Sequence, residues 1–263
     1  MKLELLTEKN KLVKSKGALL FIHGASHGAW CWKKYMQYFS QKGFDCYALS
    51  LRGHGKSDGY ENLNDYGLDD YVKDILNVLK KIPAKPVLIG HSMGGILTQK
   101  IIQTNPEKIK AAVIIASIPL KKIGLLWVTK FLLKDFKGGR ITFDIFLGKK
   151  VTEEELSRAS FINGRLSEKE LVRCAPLIQA ESKKALKEIF RLHRSEQTKS
   201  KLPVFLLGSK ADKLFSPTEQ KKLVRFYKKT PILLSDMCHD MMLDFEWEKG
   251  AREILRFLKQ ETM

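Results

Sequence analysis

The fold is decided by residues 87–95, which read Val-Leu-Ile-Gly-His-Ser-Met-Gly-Gly. An apolar run ends at Gly90 and an apolar pattern with helical spacing begins at Ile96, so the stretch predicts a strand, a sharp turn and a helix. Ser92 stands at the apex of the turn, where any side chain at Gly90 or Gly94 would collide across it. The helix that follows directs its free N–H groups at the turn. This pattern is typical of a nucleophile elbow, which exposes a serine hydroxyl above a strand end.

Apolar runs of strand length alternate with helical patterns on both sides of this turn. Strands are predicted at 18–22, 44–49, 87–89, 111–116, 203–207 and 232–234, with a hairpin of two short strands over residues 1–14. Helices are predicted between them and at the end of the chain, over 31–42, 65–81, from 96 to about 105, from 216 and over 247–260. The alternation predicts an α/β fold with a mostly parallel, doubly wound sheet that binds its ligand at the strand ends.

The alternation stops between residues 119 and 198, where we find no clear strand. Thr152 and Ser167 are each followed three residues later by glutamate, which is typical of a helix N-terminus. We therefore expect a helical insertion after the sixth strand.

The chemistry of a nucleophilic serine requires two partners that follow Ser92 in the sequence. An imidazole must take the hydroxyl proton, and an acid must orient the imidazole. Of the six histidines, only His239 follows a late strand, and Asp212 comes directly after the strand at 203–207. The order Ser92, Asp212, His239 is the one expected with this elbow, so we predict these three as the catalytic residues.

An oxyanion that forms at Ser92 needs backbone donors nearby. The N–H of Met93, at the helix start, is one candidate. The loop opened by His23 and Gly24 should supply the other, and we predict the N–H of Ala25. His23 itself is interpreted as a residue that hydrogen-bonds within this loop.

The candidates for a substrate pocket are mostly aromatic or lie beside the predicted catalytic residues. They are His23, Gly24, Trp30, Trp127, Phe131, Phe143 and Met242. Such an apolar pocket suits an ester with a hydrophobic acyl or alcohol part.

The net charge of +18 is unusually high and is typical of proteins that meet nucleic acid, an anionic membrane or an anionic substrate. The chain contains no nucleic-acid motif, so we expect no nucleic-acid partner. The densest basic cluster, residues 221–229, is interpreted as a helix whose lysines face solvent. Peripheral contact with an anionic membrane surface is an alternative consistent with this charge.

The expected compartment is the cytoplasm. The N-terminal residues lack the long apolar region of a secretory signal, and no apolar run has the length of a membrane span. Cys31, Cys46, Cys174 and Cys238 are scattered, and we interpret them as reduced.

Taken together, the motifs resemble those of the α/β-hydrolase superfamily over the full length of the chain. The matching stretches are 23–24, 52–57 and 90–94, together with the Asp212 loop and His239. Residues 23–32 and 239–243 are most similar to the branch that holds plant methyl esterases of the methyl-salicylate type and hydroxynitrile lyases. The resemblance implies a helical cap over 119–198 on a core of 1–118 and 199–263. It also implies a pocket between the two and no metal or organic cofactor.

The function that we expect is hydrolysis of small-molecule carboxylic esters by a serine esterase through an acyl-enzyme. A lyase or carbon–carbon hydrolase with the same triad is the first alternative, and it would require a cap lysine near the serine or a pair of pocket arginines. A ligand-binding protein that keeps the fold without turnover is the second alternative. The sequence predicts no oligomeric state.

Overall fold

A computed structural model describes residues 1–12, 14–120, 125–192 and 200–261. It contains one seven-stranded sheet with the order β1-β3-β2-β4-β5-β6-β7. Among the described residues only β1 is antiparallel to its neighbour. The strands are β1 (Leu5–Glu8), β2 (Ala18–Ile22), β3 (Asp45–Leu49), β4 (Val87–His91), β5 (Ala111–Ile115), β6 (Val204–Ser209) and β7 (Ile232–Leu234).

Helices cover both faces of the sheet. They are α1 (Lys33–Gln41), α2 (Leu68–Leu79), α3 (Met93–Thr104), α4 (Leu125–Lys134), α5 (Phe136–Phe146), α6 (Glu153–Arg158), α7 (Glu168–Cys174), α8 (Lys183–Arg191), α9 (Pro217–Lys221), α10 (Val224–Tyr227) and α11 (Trp247–Glu261). None of those described has the length and apolar composition of a membrane span.

The apolar runs in the strands are explained by two cores, one on each face of the sheet. Along β2, Leu19 and Phe21 pack into the core that includes residues of α1 and α11. Leu20 and Ile22 alternate with them and pack into the core that includes residues of α2 and α3. Because both faces are covered, successive residues of a strand are all apolar, and the predicted doubly wound sheet is confirmed.

The predicted N-terminal hairpin is wrong in its second strand. The N–H of Asn10 donates to the Asp45 carboxylate at 3.1 Å. The N–H groups of Lys11 and Lys16 donate to the carbonyls of Ser40 and Gly43, at 2.9 and 2.8 Å. This segment therefore bonds to the end of α1 and the start of β3 rather than to β1. The sheet has one strand fewer before β5, so the helical insertion follows the fifth strand and not the sixth.

Helices α4 to α8 all lie between β5 and β6, as the helical insertion requires. Their predicted N-caps are present, since the hydroxyls of Thr152 and Ser167 accept the N–H groups of Glu155 and Glu170, at 3.2 and 3.4 Å. We call α4 to α8 the inserted helices. The boundaries of a separate cap, 119–198, stay a prediction, because residues 121–124 and 193–199 lie outside the described residues.

Candidate active site

Ser92 occupies a strained turn between β4 and α3. Its φ and ψ angles are 51° and −115°, a region that residues other than glycine rarely adopt. A Cβ atom at Gly90 would overlap the carbonyl of Gly94, and one at Gly94 would overlap the carbonyl of Ile22. The Ser92 N–H donates to the carbonyl of Ile115 at 3.0 Å, which ties the turn to β5. The chain therefore reaches this conformation only with glycine at both flanking positions.

His239 and Asp212, predicted to work with Ser92, are hydrogen-bonded to each other. His239 Nδ1 donates to Asp212 Oδ2 at 2.8 Å, and the other carboxylate oxygen accepts the N–H groups of Leu214 and Phe215, both at 2.8 Å. Burial lowers the pKa of His239, but the neighbouring carboxylates outweigh burial and raise it overall. Asp212 thus fixes which ring nitrogen carries hydrogen and leaves Nε2 as the free position.

His239 Nε2 is buried and has no hydrogen-bond partner among the described residues, so no bond to the Ser92 hydroxyl is formed. The two residues are nevertheless connected through one cavity, which Ser92 lines and against whose lining His239 packs. Ser92 lines it directly, and Phe215, which also lines it, packs its ring edge-on to His239 with the centroids 5.3 Å apart. The His239 ring therefore packs against the lining of the cavity that Ser92 borders, although His239 is not itself one of the lining residues.

The loop after β2 carries the predicted second oxyanion donor. His23 Nδ1 donates to the Gly24 carbonyl at 2.8 Å, while His23 Nε2 accepts the Leu51 N–H at 3.0 Å. The Gly24 carbonyl and the Ala25 N–H belong to one trans peptide and point in opposite directions, so this bond turns the Ala25 N–H away from His23. Ala25 lines the cavity together with Ser92 and Met93. Met93 is the first residue of α3, so its N–H is one of the free donors at the helix start.

A buried ion pair holds the same loop from one side. His27 Nδ1 donates to the Ala25 carbonyl at 2.6 Å, and His27 Nε2 donates to Asp240 Oδ2 at 2.9 Å. Burial lowers the pKa of His27, but the Asp240 carboxylate outweighs burial and the pKa is raised. The pair joins the loop after β2 to the residue that follows His239.

A second buried carboxylate, Glu181, holds the loop from the inserted helices. It accepts the N–H of Ser26 at 3.2 Å, His54 Nε2 at 3.1 Å, the Tyr71 hydroxyl at 3.0 Å and the N–H of Ser182 at 2.7 Å. Burial raises the pKa of Glu181, but the charge of His54 outweighs burial and the pKa is lowered. Sequence reasoning missed Glu181, His27 and Asp240, because nothing local to them signals a buried charge.

The cavity beside Ser92 measures about 60 Å³ and is almost entirely apolar. Three predicted pocket residues line it: Trp127 and Phe131, whose rings are stacked 5.3 Å apart, and Phe143. Among the described residues, its lining contains no lysine, arginine, aspartate or glutamate. Only a small uncharged group fits without movement of the side chains, since cavities of about 150 Å³ are known to admit benzene.

The other four predicted pocket residues lie outside this lining. His23 is fully buried by the two hydrogen bonds of its ring. Gly24 lies against Ser92, where an added Cβ would come within 3.1 Å of the serine Cβ. Trp30 stacks on His27 with the ring centroids 5.3 Å apart, and Met242 packs in the core beside α1 and α11.

The described residues that come closest to a metal-ligand set are His91, His239 and Asp240, with candidate ligand atoms within 4.8 Å of one another. Two of their candidate ligand atoms already form hydrogen bonds within the protein. His91 Nε2 donates to the His239 carbonyl at 3.0 Å, and Asp240 Oδ2 accepts from His27. Burial and the neighbouring His239 lower the pKa of His91 to about 3, so its ring is neutral. That the site uses no metal or organic cofactor stays a prediction.

A known protein family matches most of this chain. The model of the family Hydrolase_4, described as serine aminopeptidase, S33, matches residues 13–246. The chain belongs to the Hydrolase_4 family of α/β-hydrolases. Within this family of α/β-hydrolases, the predicted resemblance to plant methyl esterases is confirmed by the relatives that follow.

Norfluorocurarine synthase 1 of Strychnos nux-vomica is 36% identical over 111 residues, 40% of each protein. Methylesterase 9 of Arabidopsis thaliana is 32% identical over 139 residues, 52% of this Hydrolase_4 chain and 48% of the relative. The chain thus spans about two fifths to one half of the length of these curated relatives. The crystal structure of the Arabidopsis methylesterase MES16 has a TM-score of 0.70 at 20% identity, with 92% of this chain and 98% of that one covered, which shows a shared fold.

Proposed function

We propose that this protein hydrolyses small carboxylic esters whose acyl or alcohol part is apolar. The observation that carries the proposal is the Asp212–His239 pair beside the Ser92 elbow, at a cavity lined almost wholly by apolar side chains. The plant relatives named methylesterases support ester chemistry.

In the proposed mechanism, the Ser92 oxygen attacks the ester carbonyl while its proton passes to His239 Nε2. Asp212 stabilises the imidazolium through the bond to Nδ1, and the N–H groups of Ala25 and Met93 bind the oxyanion. The tetrahedral intermediate breaks its carbon–oxygen bond to the alcohol, which takes the proton from His239. Water then attacks the acyl-enzyme by the same route and releases the acid and free Ser92.

The cavity favours this reaction over the alternatives. A lyase requires a lysine near the serine, and a carbon–carbon hydrolase that acts on a diacid requires a pair of arginines. An aminopeptidase requires an acid for the α-ammonium of its substrate. The described lining supplies none of these groups. A protein that only binds ligand has no use for an oriented imidazole beside a strained serine.

The cysteines and the charge of the chain bear on its compartment and partners. We propose that it acts in the cytoplasm with its four buried cysteines reduced. We also propose a small-molecule substrate and no nucleic-acid partner.

Turnover of p-nitrophenyl acetate and butyrate by the purified protein tests the proposal. Ser92→Ala should abolish turnover, whereas Ser157→Ala, on α6, should leave it unchanged. A protein that cleaves a cyanohydrin or a diketone much faster than these esters would contradict the proposed reaction. Equal ester turnover by Ser92→Ala would contradict the proposed nucleophile.

A further inference from the structure

The corner between α4 and α5 exposes two large apolar side chains. Leu133 is 86% exposed and Phe136 is 67% exposed, and the two stand three residues apart where one helix ends and the next begins. Burying a leucine or phenylalanine side chain is worth about 1.5–3 kcal/mol, so a partner that covered both side chains would gain binding free energy from them.

Cationic residues flank this apolar pair in the sequence. Lys130, Lys134, Lys137 and Arg140 are exposed on the same two helices, and none of these four forms an ion pair with another described residue. Asp135, the acid among them, accepts the N–H of Gly138 and the hydroxyl of Ser160 and lies 3.7 Å from Lys213 Nζ. We call the set Lys130, Leu133, Lys134, Phe136, Lys137 and Arg140 the corner patch.

Other residues of the same two helices border the cavity beside Ser92. Trp127 and Phe131 of α4 and Phe143 of α5 line that cavity. A partner bound at the corner patch would therefore contact two of the helices that line the cavity.

We propose that the corner patch docks the protein on the surface of an anionic phospholipid membrane. Leu133 and Phe136 would enter the boundary between headgroups and acyl chains, and the four cations would lie at the level of the phosphates. The net charge of +18 would attract the protein to such a surface before contact. Docking goes beyond the proposed ester hydrolysis and does not depend on Ser92.

An anionic membrane fits the corner patch better than a second copy of this chain or a nucleic acid. A symmetric contact between two patches would bring eight like charges together. Nucleic-acid phosphates would satisfy the cations but leave the apolar pair in water.

Sedimentation with phospholipid vesicles tests the proposal. The wild-type protein should sediment with phosphatidylcholine vesicles that contain phosphatidylserine, should stay free with phosphatidylcholine alone, and should be released by high salt. Replacing Lys130, Lys134, Lys137 and Arg140 by glutamine should weaken binding by at least tenfold, since each cation near such a surface contributes about fivefold. Leu133→Ser with Phe136→Ser should weaken binding by a similar factor without changing the charge.

A matched control comes from the basic cluster at 221–229. Replacing Lys221, Lys222, Arg225 and Lys228 by glutamine removes the same charge from a segment without exposed large apolar residues. It should change binding by less than threefold, as estimated from long-range attraction alone. Equal losses in the two charge variants, or unchanged binding after loss of the apolar pair, would overturn the proposal.

Two further measurements separate this proposal from others. Ser92→Ala should bind vesicles as the wild type does, and both corner-patch variants should keep p-nitrophenyl acetate turnover, which shows that they are folded. A corner-patch variant that changes the sedimentation equilibrium mass while vesicle binding is unaltered would instead identify the patch as a contact between copies.

Discussion

Asp240 Oδ2 lies 2.9 Å from His27 Nε2, and this buried pair joins the two loops that flank Ser92. His27 also donates to the Ala25 carbonyl, while Asp240 follows His239 directly in the chain. The proposed base and the proposed oxyanion donor are therefore positioned through one contact.

Asp240→Asn should shift the pH profile of ester hydrolysis. The Asp240 charge helps to raise the pKa of His239, so its removal lowers that pKa. His239 acts as a base only when it is neutral, and a lower pKa keeps it neutral to lower pH. The acidic limb of kcat/KM should therefore move to lower pH, and breaking the buried pair should cost roughly 3 kcal/mol of stability.

The control for this prediction is Asp236→Asn, an exposed carboxylate three residues before His239. It should leave both the acidic limb and the unfolding midpoint close to those of the wild type. An acidic limb that stays in place in Asp240→Asn, or moves to higher pH, would contradict the electrostatic role of Asp240.

Asp212→Asn should lower kcat by a factor of about 10³–10⁴ with little change in KM. The amide no longer stabilises the imidazolium and favours the wrong tautomer of His239, although the side chain keeps its shape. Steady-state kinetics on p-nitrophenyl butyrate measure the effect, with Asp236→Asn as the charge-matched control. A loss below tenfold would show that another group orients His239.

Glu181→Gln should lower kcat by about tenfold, as expected when an oxyanion donor is held less firmly. The amide keeps the size of the carboxylate but has one acceptor oxygen for the donors of Ser26, His54 and Tyr71. KM should change little, because Glu181 does not line the cavity.

Glu188→Gln on α8 is the matched control, since Glu188 accepts the Leu68 N–H at 2.7 Å and holds the inserted helices to α2 rather than to the loop after β2. It should cost stability without the same loss of kcat. If both variants lower kcat equally, Glu181 contributes to folding alone.

Phe143→Ala should extend the range of acyl chains that the enzyme accepts. The cavity of about 60 Å³ gains the space of one aromatic ring, so the ratio of kcat/KM for the octanoate over the acetate ester should rise about tenfold or more. Phe136→Ala, at the exposed first residue of the same helix and outside the cavity lining, should leave the ratio unchanged with these soluble substrates. An unchanged ratio in Phe143→Ala would place the acyl group elsewhere.

Most of the sheet and the elbow could be predicted because their signals are local. Strands β2 to β6 are apolar runs covered on both faces, and the turn at Ser92 leaves no room for side chains at Gly90 and Gly94. The predicted second strand of the hairpin was wrong because the backbone of that segment bonds to the end of α1 and to Asp45. No local sequence pattern indicates these distant partners.

The surroundings of Ser92 could be predicted only in part because they depend on contacts between distant segments. Glu181 meets His54 across 127 residues of chain, and His27 meets Asp240 across 213. In the sequence, such carboxylates look like surface residues. Trp30 and Met242 are large apolar residues close in sequence to the predicted site residues, but their side chains pack elsewhere and do not line the cavity.

The central claim is that Ser92 is the nucleophile, and the most direct measurement is covalent labelling by a fluorophosphonate, located by mass spectrometry. We predict one label per chain, carried by the peptide that contains Ser92. We also predict no label in Ser92→Ala and full labelling in Ser157→Ala. A wild-type protein that stays unlabelled, or a Ser92→Ala protein that labels equally well, would contradict the proposed mechanism.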